Sequence, residues 1–230
     1  MKTTMTDNKT TMNAESVMTK QIIDMMTSVI RQGPRGYQAL YSPDVLFTNN
    51  RLIYIKGSVD SDLSEEIIQK LLLLDLESHE KITVFIDSPG GVVDSGYAIF
   101  DVIRNVIQSP VTTVCTGIAA SMAFIIYLAG DERLMLRHSR LMLHDPSMGG
   151  GNLAGVKPLE LKTDILEKLF AVRQQIGETI SERSGMPIDD VFVLTEKDTY
   201  LNAEESLEKG FATKIINSFE DITFPQTNEL

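Results

Sequence analysis

The chain has little of what staples, anchors or metallates a protein. Its 230 residues contain one cysteine, Cys115, so no disulfide can form within the chain, a zinc site lacks support, and a reducing compartment is expected. Basic residues are outnumbered, 21 Lys and Arg against 32 Asp and Glu, for a net charge of -11. A surface of that sign repels phosphate, which argues against nucleic acid as a partner. The opening stretch MKTTMTDNKTTMNAES has no apolar run for a secretory signal and no arginine-rich amphipathic pattern for an import signal. The apolar run Met122 to Leu128 is too short to span a membrane. No membrane partner and a cytoplasmic location are expected. Nothing resembles a phosphate-binding P-loop.

What is present is the composition of an ordinary globular chain, 43% hydrophobic and 23% charged, long enough for one sizeable α/β domain with a protruding element. Residues 1 to about 20 are polar without periodicity and read as a flexible tail or removable pro-segment. Val17 to Ile30 has some helical spacing, Gly33, Pro34 and Gly36 break the chain, and Tyr37 to Asn50 reads as irregular. Arg51 to Lys56 predicts a strand closed by Gly57. Asp62 with Glu65 has the form of a capping box opening a helix through Leu71 to Leu74. Lys81 to Asp87 (KITVFID) predicts a strand buried on both faces. It ends in Ser88, Pro89, Gly90, Gly91, a turn whose glycines let the backbone approach a ligand closely. A helix from about Asp94 to Ile107 and a strand over Val111 to Thr116 follow. Strands and helices alternating with short connections imply right-handed crossovers and a mostly parallel sheet. Loops beyond the carboxyl ends of such strands share one rim, so Gly90, Gly91 and Ser121 are expected to be neighbours.

Gly117 to Gly130, GIAASMAFIIYLAG, places the hydroxyl of Ser121 between that strand and a buried apolar helix. A helix N-terminus offers unpaired N–H groups and a positive dipole end, which stabilise negative charge developing on a substrate oxygen. Ala119, Ala120 and Ala123 leave room for substrate. The plainer alternative is that Ser121 is only an N-cap. Of the three histidines, His79 reads as a solvated loop residue, His138 as a turn residue, and His144 as the end of a short strand over Arg140 to Leu143. Gly149 to Gly151 make a flexible corner. Leu159 to Arg183 predicts a long helix with Leu161, Ile165, Leu169, Val172, Ile176 and Ile180 on one stripe, longer than the core requires, so its far part is expected to project and pack against another subunit. Asn202 with Glu205 predicts a capped helix, and Phe211 to Ile216 a last strand.

Ser121, His144 and Asp198 each lie at the edge of a regular element. A serine peptidase needs such a trio for separate reasons: the serine attacks, the histidine takes and returns its proton, and the carboxylate fixes the imidazole tautomer. Together, DSPGG at 87 to 91, GIAASMA at 117 to 123, LMLHDP at 141 to 146 and EKDTYLNAEE at 196 to 205 resemble the ClpP family of self-compartmentalising serine peptidases over about residues 50 to 216. The resemblance implies an α/β fold, the ClpP/crotonase-like spiral of ββα units with a projecting handle helix. It implies Ser121 as nucleophile, His144 as general base and Asp198 as its orienter. It also implies backbone N–H groups of Gly91 and Met122 as oxyanion hole, and substrate along Gly90, Gly91, Ser147 and Met148. No metal and no cofactor are implied, ATP being used by a partner.

The resemblance further implies heptameric rings stacked as a tetradecamer, unfolded protein substrates held as an added strand, and a AAA+ unfoldase of the ClpX, ClpA or ClpC type. The expected layout is a tail, axial segment or propeptide over 1–36, a peptidase domain over 37–220 with a handle at about 147–184, and a tail over 221–230. Two positions depart from the family: Asp145 stands where glutamine is common, and Lys197 where arginine is common. Two alternatives stay open at this point, a mainly structural or regulatory subunit in a mixed ring with a paralogue, and a crotonase-type acyl-CoA enzyme.

Overall fold

The computed structural model describes residues 30–33, 36–39, 47–48, 50–146, 164–218 and 221–222. The tail over residues 1 to 20, most of the helical spacing from Val17, the glycine corner at 149–151, Ser147 and Met148, and the C-terminal stretch from 223 lie outside them. The chain separates into two compact units, with the break between Asn49 and Asn50. In the first, β1 (Ile30–Gly33) pairs antiparallel with β2 (Gly36–Ala39). Tyr37 to Ala39 falls in the stretch expected to be irregular; pairing with β1 makes it part of a strand where composition alone gives little β signal.

The second unit is built on a seven-stranded sheet. Its strands are β3 (Leu52–Val59), β4 (Ile82–Gly91), β5 (Val111–Ala120), β6 (Glu132–Leu136), β7 (Arg140–Leu143), β8 (Thr199–Leu201) and β9 (Lys214–Ile216). The order β3-β4-β5-β6-β9 is parallel throughout. β4 and β5 carry near-continuous apolar and β-branched residues because both faces are covered. Midway, β5 changes partner. Thr112 to Cys115 pair with β6, whereas Ile118 to Ala120 pair with β7, which in turn takes β8 antiparallel on its far side. That change of partner brings the end of β7 beside the end of β5, and hence His144 towards Ser121.

The helices are α1 (Ser61–Glu77), α2 (Val93–Asp101), α3 (Met122–Leu128), α4 (Asp164–Ser184), α5 (Ile188–Thr195) and α6 (Ala203–Glu208). α1 buries Ile67, Leu71 and Leu74 completely, and α3 is buried along its whole length. The N-cap of α1 is Asp60, whose carboxylate accepts from the Leu63 N–H at 2.9 Å, rather than Asp62. Asp62 already lies in the first helical turn, where its charge meets the positive end of the helix dipole. The box at Asn202 and Glu205 forms as expected. α2 ends at Asp101 and continues as one π-helical turn over Val102–Val106, closed by the Ile107 N–H on the Val102 carbonyl.

Both glycine-marked strand ends also run on past their expected stops. β3 continues through Gly57, where a register shift and a φ of 80° mark a bulge. β4 continues to Gly91, still paired with β3. In α4, Ile176 and Ile180 are buried against the body while Leu166 and Phe170 stay 49% and 65% exposed, the division expected of a helix whose far end projects.

Candidate active site

Ser121 occupies the corner between β5 and α3 with φ 53° and ψ -123°. A positive φ on a non-glycine residue costs on the order of 1–3 kcal/mol, so the surrounding structure must hold it. It does so from three directions. The Ser121 N–H donates to the Met142 carbonyl at 2.9 Å, and the Ser121 carbonyl accepts from Phe124 and Ile125 at the start of α3. At the far end of α3, the carbonyls of Leu128 and Gly130 accept from Arg183 at 2.8 Å each, and Gly130 also from Arg133. These cations face the negative end of the helix dipole.

The N-cap alternative for Ser121 fails on geometry: its side chain makes no capping hydrogen bond. Its Oγ instead lies 3.0 Å from Nε2 of His144, a distance at which the hydroxyl donates to an unprotonated ring nitrogen. His79 and His138 lie elsewhere: His79 faces Asp75 at an exposed helix end, and His138 is exposed in the β6–β7 turn.

The glycine segment lies against the serine corner, as expected. Gly90 has φ 88°, and a Cβ there would strike the Ala120 carbonyl, the Met122 amide and the Ser121 side chain. A Cβ on Gly91 would strike the Val59 carbonyl. Met122 is the first residue of α3, so its N–H is one of the four that an α-helix leaves without an internal partner. Ser88 is a positioning residue that the sequence reading passed over. It is fully buried, donates to the Gly57 carbonyl at 2.6 Å and accepts from the Gly90 N–H at 3.1 Å. A buried Ser directly before a Pro-Gly-Gly turn is the signal that could have flagged it, since a buried hydroxyl must find partners.

Asp198 is placed differently. The antiparallel register sets Leu143 opposite Thr199, so the next pair outward is His144 and Asp198. The Asp198 side chain is nevertheless exposed, and the hydrogen bonds of His144 among the described residues do not include it. The carboxylate next to the imidazole in sequence, Asp145, is bound instead to Arg173, Oδ2 to Nε at 2.8 Å. Beside Ser121 and His144 opens a cleft of about 620 Å³, lined by Gly90, Gly91, Phe124, Ile125, Met142 and Ile176 among others. Its apolar wall from α3 and α4 can take an apolar side chain, and its glycine edge exposes main chain. Among the described residues no cluster of three His, Cys, Asp or Glu can hold a metal ion, and no helix is long and apolar enough to cross a membrane.

A strained serine with a histidine nitrogen on its hydroxyl and a helix amide beside it defines a serine hydrolase. Similarity to known proteins narrows the class. The family described as Clp protease matches residues 36–219. ATP-dependent Clp protease proteolytic subunit 1 of Protochlamydia amoebophila is 39% identical over 177 residues, 76% of this chain and 84% of that protein. Proteolytic subunit 2 of Treponema denticola is 38% identical over 180 residues, 76% of this chain and 86% of that protein. An Asn-to-Asp mutant of ClpP1 from Listeria monocytogenes has the same fold, with a TM-score of 0.67 at 29% identity, covering 77% of this chain and 97% of that chain. The chain belongs to the Clp protease family, the serine endopeptidases that form the proteolytic subunits of ATP-dependent Clp proteases. The crotonase-type alternative falls with that assignment.

Proposed function

We propose that the chain hydrolyses peptide bonds of unfolded proteins with Ser121 as nucleophile and His144 as general base. The observation that carries this reading is the 3.0 Å approach of His144 Nε2 to Ser121 Oγ at a strained strand-to-helix corner. As Oγ adds to the substrate carbonyl, its proton passes to Nε2. The carbonyl oxygen takes the negative charge, and the amides of Gly91 and Met122 donate to it. Collapse of the tetrahedral intermediate breaks the C–N bond, and His144 returns the proton to the leaving amine. Water then repeats the sequence on the acyl-serine, with His144 again as base. Substrate runs along Gly90 and Gly91 as an added strand, with Ser147 and Met148 as further substrate-binding residues.

The same proposal makes Asp198 the orienter of His144 in the working assembly, where neighbouring subunits press its loop towards the imidazole. The assembly is two stacked heptameric rings joined through α4. It is fed by a AAA+ unfoldase of the ClpX, ClpA or ClpC type, which consumes the ATP, so the chain itself uses no cofactor. Its place is the cytoplasm. One observation favours a variant of this reading: with the Asp198 carboxylate exposed and off the imidazole, the subunit is suited to a mixed ring in which a paralogue completes its alignment. The experiment is degradation of an unfolded protein by the purified chain, alone and with a Clp ATPase and ATP, against Ser121→Ala. Degradation lost in the variant supports the reading; degradation retained overturns it.

A further inference from the structure

Asp145 follows His144 directly, and three elements converge on it. Its N–H donates to the carbonyl of Thr195, the last residue of α5, at 2.7 Å. Its Oδ2 accepts from Arg173 Nε in α4 at 2.8 Å. The Arg173 guanidinium in turn lies over the ring of Phe192 in α5, 4.1 Å from its centroid. The other carboxylate oxygen, Oδ1, is buried with no hydrogen-bond partner among the described residues, and among these Arg173 supplies the carboxylate's hydrogen bonding. Loose surface ion pairs contribute little because two long side chains must be ordered to form them. Here the cation is ordered by the aromatic face and the anion by the backbone bond, and the side chains are only 25% and 34% exposed. Arginine suits the position because a planar guanidinium can donate along its edge while stacking by its face; an ammonium cannot do both.

The consequence lies one residue away. The peptide unit joining His144 to Asp145 is gripped between α4 and α5, and the direction in which the imidazole leaves the chain depends on that unit. α5 is followed within three residues by Asp198, so the same grip bears on the segment that carries the Asp198 carboxylate. We propose that Asp145 and Arg173, braced by Phe192, form a positioning clasp that sets His144 against Ser121 and ties that alignment to α4. Neither residue touches the reacting atoms. The inference rests on the peptidase reading above and adds to it how the base is held.

The test uses the assembled full-length protein and a fluorogenic peptide. Arg173→Gln, Arg173→Lys, Asp145→Asn and the double variant Asp145→Asn with Arg173→Gln are compared for kcat, KM, rate of phosphonate labelling at Ser121, and melting temperature. The clasp predicts that Arg173→Gln and Asp145→Asn each lower kcat by about 10-fold or more with KM within about 2-fold. The double variant loses no more than the worse single variant, because both remove one contact. Arg173→Lys recovers only part, and labelling slows in parallel with kcat. If Arg173→Gln does not fold, Asp145→Asn, which keeps the side chain's shape, carries the same prediction. Unchanged kcat in the folded single variants, or additive losses in the double one, overturns the clasp. Wild-type protein that neither hydrolyses the peptide nor labels at Ser121, alone and in rings with a paralogue alike, overturns the peptidase reading itself, a failure distinct from that of the clasp.

Discussion

The N–H of Ser121 donates to the carbonyl of Met142 at 2.9 Å, and this main-chain bond joins the corner that bears the hydroxyl to the strand that leads into His144. His144 stands two residues beyond Met142, directly after β7, so the backbone that carries its imidazole is anchored on its N-terminal side by that strand. Sites built on regular elements hold their geometry better than sites on loops.

Gly90 is the position where the least change does the most damage. Gly90→Ala meets a left-handed φ and overlaps main-chain atoms of Ala120 and Met122 that cannot move without moving Ser121. The conformational strain alone is about 1–2 kcal/mol. We expect a melting temperature lowered by several degrees and peptidase activity reduced about 100-fold or more, because a misplacement of about 1 Å at the reacting centre costs that much. Peptidase assay and thermal melting check this; activity within about 2-fold of wild type would show the close approach to be unimportant.

Ser88→Ala tests the support beneath that glycine. The substitution removes the hydrogen bonds to Gly57 and Gly90 in a fully buried place. The stranded groups cost about 1–3 kcal/mol, measurable by urea unfolding. Activity should fall with KM rising more than kcat falls, because the loosened edge is the one proposed to hold substrate main chain.

Asp75 sets an acid limit on stability. Desolvation favours its neutral form, but hydrogen bonds from the Ser109 hydroxyl and N–H, from His79 and from the Gln108 N–H outweigh it and lower its pKa from 3.8 to about 2. A depressed carboxyl pKa contributes stability that is complete above the unfolded value and is lost as pH falls through the folded one. The stability gap between wild type and Asp75→Asn should therefore be constant above pH 4 and close between about 4 and 2. Denaturant titrations across that range would show it; a gap independent of pH would contradict it.

Cys115 should be silent in the folded protein. Burial pushes its thiol up to about 11, and its side chain is wholly enclosed, so little reactive thiolate forms. Native protein should resist a thiol reagent at about pH 8 and react within minutes once unfolded.

How far the site could be read from the chain depended on whether backbone or side chain set the position. Ser121, Gly90, Gly91 and His144 sit at strand ends, and parallel strands with short crossovers bring their ends together whatever the side chains do, so their meeting was legible. The Asp198 backbone was legible for the same reason, lying one register step beyond Leu143 and Thr199. Where its carboxylate points was not, because an exposed side chain is directed by whatever packs against it. The pairing of Asp145 with Arg173 joins a strand end to a helix 28 residues away, and no local pattern encodes such a contact. The true ends of β3 and β4 were hidden because glycine reads as a stop but also permits a bulge or a kink within a paired strand. Asp60 was passed over as cap because Asp62 with Glu65 offers the same residue types two positions later.

The central claim is that His144 activates Ser121, and labelling with a serine-reactive phosphonate followed by peptide mapping tests it most directly. The account predicts one modified site, Ser121, with labelling absent in Ser121→Ala and slowed by about 100-fold or more in His144→Ala. Equal labelling of wild type and His144→Ala, or modification at a different serine in the intact assembly, would contradict it.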